Sequence, residues 1–382
     1  MQIKIVASTK QTSQASNEEF NDLSGKMAGI CYMSDNLDSI LTEAKTKTEK
    51  RVSITKNNRH HSVFEHSYIT LYLENVPKIF AMLLNNQKVY TTSEKSARYT
   101  KMNVQGKEKF LYDKWIEILK QVISEKYSKY EYFTASRIEK LAQENARYFI
   151  SVFTPTCMAY TTSYRQLNYL YNWLSNLENS NDKILKKLAP YGKEFCRHLE
   201  KLNIIDLTLS NGANGREISF ITTKDKKEYF GDVYCTKYVG SFASFAQSQR
   251  HRTLNYEIKQ LTNPQFFVPK ILERYPQLKQ MWIDDMQSVK DNYPQGELIE
   301  IYERGTPENF ILKARERLCT CAQLEVMEQT KNTLNKYVLE TEDKEIKNVL
   351  SPYLKGARCC SGEYKCNAPC KFKEGINLER EI

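Results

Sequence analysis

The sequence predicts an α+β fold made of two tandem units, and three observations carry that expectation. At 382 residues the chain exceeds what one hydrophobic core usually organises. An order of strand, short helix and polar signature runs once through residues 66–99 and again through 232–252. Between the two runs the polar stretch Asn176–Lys183 reads as a linker and sets a boundary near residue 178. The expected divisions are therefore 1–178, 179–350 and a Cys-containing tail, 351–382.

His66–Val76 (HSYITLYLENV) alternates as a half-buried strand does, and Pro77 stands where a first helical turn tolerates a missing N–H, opening PKIFAMLLNN. The signature EKSARY (Glu94–Tyr99) follows. Next, Phe110, Leu111, Trp115, Ile118, Leu119, Val122 and Ile123 recur at helical spacing on one apolar face, and a further helix is expected from about Ser136 through Arg147. Ser210–Glu217 (SNGANGRE) reads as an exposed turn. Asp232–Val239 (DVYCTKYV) is the later strand, with Ser241 as N-cap of a helix running into Arg250. Thr306, Pro307 and Glu308 supply the cap, the first position and the acidic first turn of a last long helix. It is expected to continue through RLCTCAQLEV to about Tyr337.

The composition, 41% hydrophobic and 27% charged, is that of a globular chain rather than a disordered one. No run of eighteen apolar residues occurs, and the start MQIKIVASTKQTSQ lacks a secretory leader, so a cytoplasmic protein without membrane attachment is expected. The net charge of +10 favours phosphorylated ligands, and nucleic acid would satisfy it as well. Ten cysteines in such a chain read as buried thiols or metal ligands, not as a disulfide framework. Cys359, Cys360, Cys366 and Cys370 offer four thiolates, but their spacing is not that of a zinc ribbon. Free cysteines in a flexible tail, with no metal, are the expected reading.

The chemistry sits in two separated strings. EKSARY carries a carboxylate, a hydroxyl and a guanidinium, and is preceded by Asn86-Gln87-Lys88; the second string is RHR (Arg250–Arg252). Four of the five histidines lie beside such strings, three of them in RHHSVFEH (Arg59–His66). Taken singly, Arg98 and Arg147 read as surface cations, Glu94 as a helix-surface carboxylate, and Arg317 as a residue solvating a helix face.

Taken in order, the strings resemble the flavin-dependent thymidylate synthases, the ThyX family. HHSVFEH, TTSEKSARY and ENARYFISVFTP match the first part of that family's pattern within residues 60–155. AQSQRHR (Ala246–Arg252) and RLCTCAQLEV (Arg317–Val326) match the rest. The resemblance implies two ThyX-like units, each a mainly antiparallel sheet packed with helices. It also implies FAD as cofactor, NADPH and methylenetetrahydrofolate as co-substrates, and deoxyuridylate (dUMP) as the nucleotide methylated. Sites in the family are assembled across subunits, so a tandem chain would form a homodimer imitating a tetramer.

Residue by residue, the resemblance places Glu94, Lys95, Ser96, Ala97, Arg98 and Arg147 at the nucleotide, together with Gln247, Ser248, Gln249 and Arg250. It places Ser62, Glu94, Arg165, Arg250, His251 and Arg252 at the flavin. Arg317 falls where the family has the arginine that stabilises the base after loss of its N3 proton. A cation held beside N3 and O2 in a dry site would stabilise the developing negative charge. Guanidinium pairs suit a diphosphate because their planar donors meet its oxygens two at a time.

The chain departs from the pattern in an ordered way. Asn86-Gln87-Lys88 stands where the first half would carry RHR, Ser163 where an asparagine precedes Arg165, and Leu174 where the first-half counterpart of Arg317 would be. Glu257 does not fall at the spacing of a motif glutamate in the second half. Only a mixed pairing, EKSARY from one half and RHR from the other, is complete. Two alternatives stay open from the sequence: a related flavoenzyme acting on another pyrimidine nucleotide, and a non-catalytic nucleotide- or nucleic-acid-binding descendant.

Overall fold

A computed structural model describes residues 1–9, 15–31, 36–98, 100, 104–210, 220–362 and 364–382. The expected turn at 210–217 and Tyr99 of EKSARY lie largely or wholly outside these residues. Among them are two antiparallel sheets of four strands each, so the fold is α+β as the sequence predicts.

The first sheet holds β1 (Gln2–Ser8), β2 (Tyr68–Pro77), β3 (Tyr90–Glu94) and β4 (Pro155–Ser163) in the order β1-β2-β4-β3. The second holds β5 (Tyr229–Phe230), β6 (Tyr234–Ser241), β7 (Asn255–Gln260) and β8 (Leu298–Gly305) in the order β5-β6-β8-β7. One connectivity is thus used twice. In each sheet the second strand leads into a helix of 7 residues, Lys78–Leu84 or Phe242–Ser248. The fourth strand leads into a helix of 11 residues, Tyr164–Leu174 or Pro307–Arg317. Leu174 and Arg317 are therefore the closing residues of corresponding helices, and Asn86-Gln87-Lys88 and Arg250–Arg252 occupy corresponding turns.

Local chemistry accounts for these elements. Ile69, Leu71 and Leu73 alternate into the core along β2, the period-2 burial of a strand with one covered face. Ser163, Ser241 and Thr306 each accept a backbone N–H three residues on, at 3.1, 3.0 and 3.4 Å, starting the helices that follow β4, β6 and β8.

The compact units are not the two halves of the sequence. One comprises Met1–Lys95 with Pro155–Ile218, the other Ser96–Thr154 with Ser219–Ile382. The division expected at 178 therefore falls inside the first unit. Asn176–Lys183 is not a linker: Leu177 there is buried and opens a 3-10 turn leading to the helix Lys183–Lys201 of the same unit. The reason residues 96–154 belong elsewhere is their apolar stripe. The helices Gly106–Tyr127 and Ala135–Ala146 bury Trp115, Leu119, Ile123 and Ile138 with Ile271, Trp282, Met286 and Phe372 in one core. Trp115 stacks on Phe149 at 5.9 Å and meets the Trp282 ring edge-on at 4.8 Å.

Four further expectations are corrected. Pro77 closes β2 and caps the next helix instead of entering it, since the strand register with β4 runs as far as the pair Pro77 and Pro155. Phe110 is 66% exposed, because it sits one residue, about 100° of helical rotation, off the stripe begun by Leu111. The tail is not flexible: Tyr353, Phe372, Leu378 and Ile382 are buried in the second unit. The last long helix is two helices, Pro307–Arg317 and Leu324–Glu340. Between them the chain turns at Leu318, and the carbonyls this releases find donors elsewhere. Leu318 O accepts from Arg358 N at 2.7 Å, Cys321 O from an Arg98 NH2 at 2.9 Å, and Ala322 O from Arg380 at 2.5 Å.

Candidate functional site

Within the second unit, the candidate site grows from three helix ends. The helix Ala135–Ala146 delivers Arg147 at its C-terminus, Phe242–Ser248 delivers Gln247, and Pro307–Arg317 delivers Arg317. Gln323, just before the helix Leu324–Glu340, joins the first two. Its Oε1 accepts from Arg147 at 2.5 Å and also from the Gln247 amide. Its Nε2 donates to Tyr148 OH at 2.5 Å. Tyr148 OH in turn donates to Glu325 at 2.9 Å, and Glu325 accepts from both the N–H and the hydroxyl of Ser241, each at 2.6 Å. Because Ser241 caps the helix that carries Gln247, the polar chain closes on itself and fixes one side chain against the next.

Arg147 is 5% exposed, with no carboxylate directly paired to it among the described residues. Burial lowers its pKa, opposed by the nearby Glu144. Its Nε and the Gln247 Oε1 are buried without a hydrogen-bond partner, a donor and an acceptor left over on two residues that share Gln323. Arg98 pairs with Glu144, and Ser96 Oγ accepts the Arg98 N–H at 3.3 Å, shaping the turn that presents the guanidinium.

Arg317 donates through Nε to His251 Nε2 at 2.7 Å. That geometry requires a neutral imidazole with its proton on Nδ1. Burial pushes the His251 pKa down to about 2, helped by the charges of Arg317 and Lys313. Arg317 itself is lowered by burial, with Arg98 and Arg250 as nearby like charges, so three guanidinium groups share one neighbourhood. One turn earlier on the same helix, the fully buried Lys313 pairs with Glu303 at 2.5 Å, which also accepts from Tyr234 and Tyr238 at 2.7 and 2.8 Å. This satisfied ion pair anchors the helix that ends in Arg317.

The remaining residues separate into two groups. Arg250 is half-buried and Arg252 exposed on the turn after Phe242–Ser248, while Ser248 and Gln249 are buried beneath it. Ala97 is a core residue rather than a surface one, being 7% exposed within the apolar cluster. Ser62, Glu94, Lys95 and Arg165 belong to the first unit. There Glu94 accepts from Lys78 at 2.5 Å, Arg165 pairs with Glu65 at 2.9 Å, and Ser62 and Lys95 are exposed. Of the histidines in that loop, His61 is structural: it is buried against Tyr169 OH at 3.1 Å. Glu257 pairs with Arg304 at 2.5 Å and with Lys226.

Sequence reasoning missed Gln323, Tyr148, Glu144 and Glu325. The signal was present: Gln323 and Glu325 lie in the A-Q-x-E string, and Glu144 and Tyr148 lie in ENARYF. Reading them required knowing that both strings meet in one unit.

Several guanidinium groups and two buried, spare amide and guanidinium atoms make this a cationic site for a small, polar, anionic ligand. Residues 15–180 match the model described as Thy1, thymidylate synthase complementing protein. Gln247–Arg252 and Arg317 lie beyond it. Among solved structures, the UMP/dUMP methylase PolB from Streptomyces cacaoi, bound with 5-Br dUMP, is 16% identical, covering 56% of this chain and 93% of its own, with a TM-score of 0.33. ThyX from Helicobacter pylori, with FAD and dUMP, is 18% identical, covering 53% of this chain and 99% of its own, with a TM-score of 0.32. No curated protein matches the sequence. No helix among the described residues is long and apolar enough to cross a membrane.

Proposed function

We propose that this chain is a flavin-dependent thymidylate synthase, converting dUMP to dTMP with methylenetetrahydrofolate as carbon donor and NADPH as reductant. The observation that carries the reading is the mixed pairing. Arg98 and Arg147, from the first half of the sequence, share one compact unit with Gln247, the RHR turn and Arg317 from the second. The halves complement each other in what each has lost.

The donor set fits FAD at its diphosphate: Arg250 and Arg252 sit on one turn and reach the surface. When bound, the flavin supplies the hydride chemistry. The chain's own residues bind and orient. The spare Gln247 Oε1 and Arg147 Nε give the nucleotide an acceptor and a donor in a buried place. Arg317, held by a neutral His251, is placed to stabilise negative charge on the base at N3 and O2. A neutral imidazole orients that guanidinium without cancelling its charge.

A cytoplasmic homodimer standing in for the tetramer of single-unit relatives is the assembly this reading expects, and light scattering tests it. Function is tested by purifying the full chain and recording its visible spectrum, then by rescue of a thymidine auxotroph. A flavin spectrum with rescue supports the proposal. Flavin without rescue, in a well-expressed protein, moves the substrate to another pyrimidine nucleotide; a colourless protein that FAD cannot reconstitute leaves a nucleotide-binding descendant.

A further inference from the structure

We propose that Cys321 is a modification site: a reactive thiolate that peroxide oxidises and that Cys319 then resolves as an intramolecular disulfide. The two cysteines lie in the turn between the helices Pro307–Arg317 and Leu324–Glu340, where the chain has left helical geometry. Cys321 is exposed and lines a cavity of about 310 Å³ walled by Arg98, Tyr132, Arg137, Lys140 and Arg380. Cations thus outnumber Glu144 around the sulfur.

Three contacts favour the thiolate at Cys321 and the thiol at Cys319. Cys319 stands two residues before Cys321 in the same turn, which brings the second thiol beside the first. Tyr132 OH lies 3.8 Å from Cys321 Sγ, and the Arg137 guanidinium stacks over the Tyr132 ring at 3.7 Å. Arg358 adds a second positive charge. Chiefly through the Cys319 hydrogen bond, the Cys321 pKa falls well below the ordinary thiol range, while that of Cys319 rises. A thiolate that is solvent-accessible and beside a second thiol has the attributes of an oxidation-sensitive cysteine.

The reaction balances with hydrogen peroxide as oxidant. The Cys321 thiolate attacks one peroxide oxygen, the O–O bond breaks, and the departing hydroxide takes a proton to become water. Cys319 loses its proton and attacks the sulfur of the sulfenic acid; the S–O bond breaks and a second water leaves. Two sulfurs are oxidised by two electrons in total, and peroxide is reduced to two waters. The turn is tied to the candidate site, for Cys321 O accepts from Arg98 and Cys319 N donates to Arg317 O at 2.8 Å. Closing the disulfide would therefore strain the seats of two guanidinium groups.

The test uses the full chain and does not depend on its catalytic activity. Native protein is alkylated with iodoacetamide from pH 6 to 8, and the rate at Cys321 is followed by peptide mass spectrometry. A thiolate already formed gives a nearly flat rate, whereas an ordinary thiol's climbs about tenfold per pH unit below its pKa. A tenfold climb at Cys321 overturns the proposal. In parallel, peroxide-treated protein is mapped: loss of two hydrogens on the peptide holding Cys319 and Cys321, restored by dithiothreitol, is the expected result. Cys319→Ser should instead accumulate a dimedone-reactive sulfenic acid at Cys321, and Cys321→Ser should remove the change. A disulfide from Cys321 to Cys360 or Cys370, or no two-hydrogen loss in folded protein, refutes the assignment of Cys319.

Discussion

Replacing Gln323 by leucine should destabilise the second unit more than any other single polar change at the site. The substitution keeps the approximate volume but removes the acceptor shared by Arg147 and Gln247 and the donor to Tyr148. Tyr148 retains Glu325, so its loss is small. Gln247 becomes a buried amide with an unmet donor, costing about 1 kcal/mol, and the buried Arg147 loses its acceptor, costing about 2–3 kcal/mol for a charged donor. Together these give about 3–4 kcal/mol, or roughly 6–15 °C in Tm for a unit of this size. Urea unfolding followed by tryptophan fluorescence measures it, since Trp115 and Trp282 lie in this unit. Gln323→Glu provides the contrast: a carboxylate still accepts from both partners and adds a charge opposite to Arg147, so stability should be largely kept. Nucleotide binding should nevertheless be lost, because that charge repels an anionic ligand. A Gln323→Leu cost below about 1 kcal/mol would refute the reasoning, for it would mean that Arg147 and Gln247 are not left unsatisfied.

Other predictions follow from the same contacts. His251 binds its proton far less readily folded than unfolded, so the unfolded state holds more protons below about pH 6.5 and stability falls as pH drops from there, by about 1.4 kcal/mol per unit. Urea midpoints of wild type and His251→Gln between pH 7 and 5 should differ in slope by about that amount, and equal slopes would remove His251 as the cause. Arg317→Ala and Arg98→Ala should each abolish turnover in a tritium-release assay, while Leu174→Ala and Asn86→Ala should leave it largely intact in the fraction that folds. Removing residues 351–382 strips Tyr353, Phe372, Leu378 and Ile382 from the core, and at about 2–4 kcal/mol per large apolar side chain the second unit should not fold, as seen by calorimetry.

Local signals were legible in the sequence wherever the cause was local. Ser241 and Thr306 cap the helices they were expected to cap, because an N-cap is set by a hydroxyl and a backbone N–H three residues away. The alternation that marks β2 needs only neighbours on the same strand. What could not be read was set by partners far along the chain. The turn at Leu318 is stabilised by Arg358 and Arg380, and nothing between Thr306 and Tyr337 announces them. Phe110 fitted an apolar face by spacing but lies just off the line that Trp282 and Phe149 define. At the site, Arg98, Arg147 and Arg317 were legible as members of strings, whereas Gln323 was not singled out because its use depends on two strings meeting.

The unit boundaries have a practical consequence for any attempt to bisect the chain. Severing it near residue 178 would leave Arg98 and Arg147 on one piece and Arg317 on the other, and would strand the stripe of Trp115 and Leu119 without Trp282. Neither fragment would own a finished pocket, yet mixing the two could restore one, as with any split protein whose interface is a ready-made core.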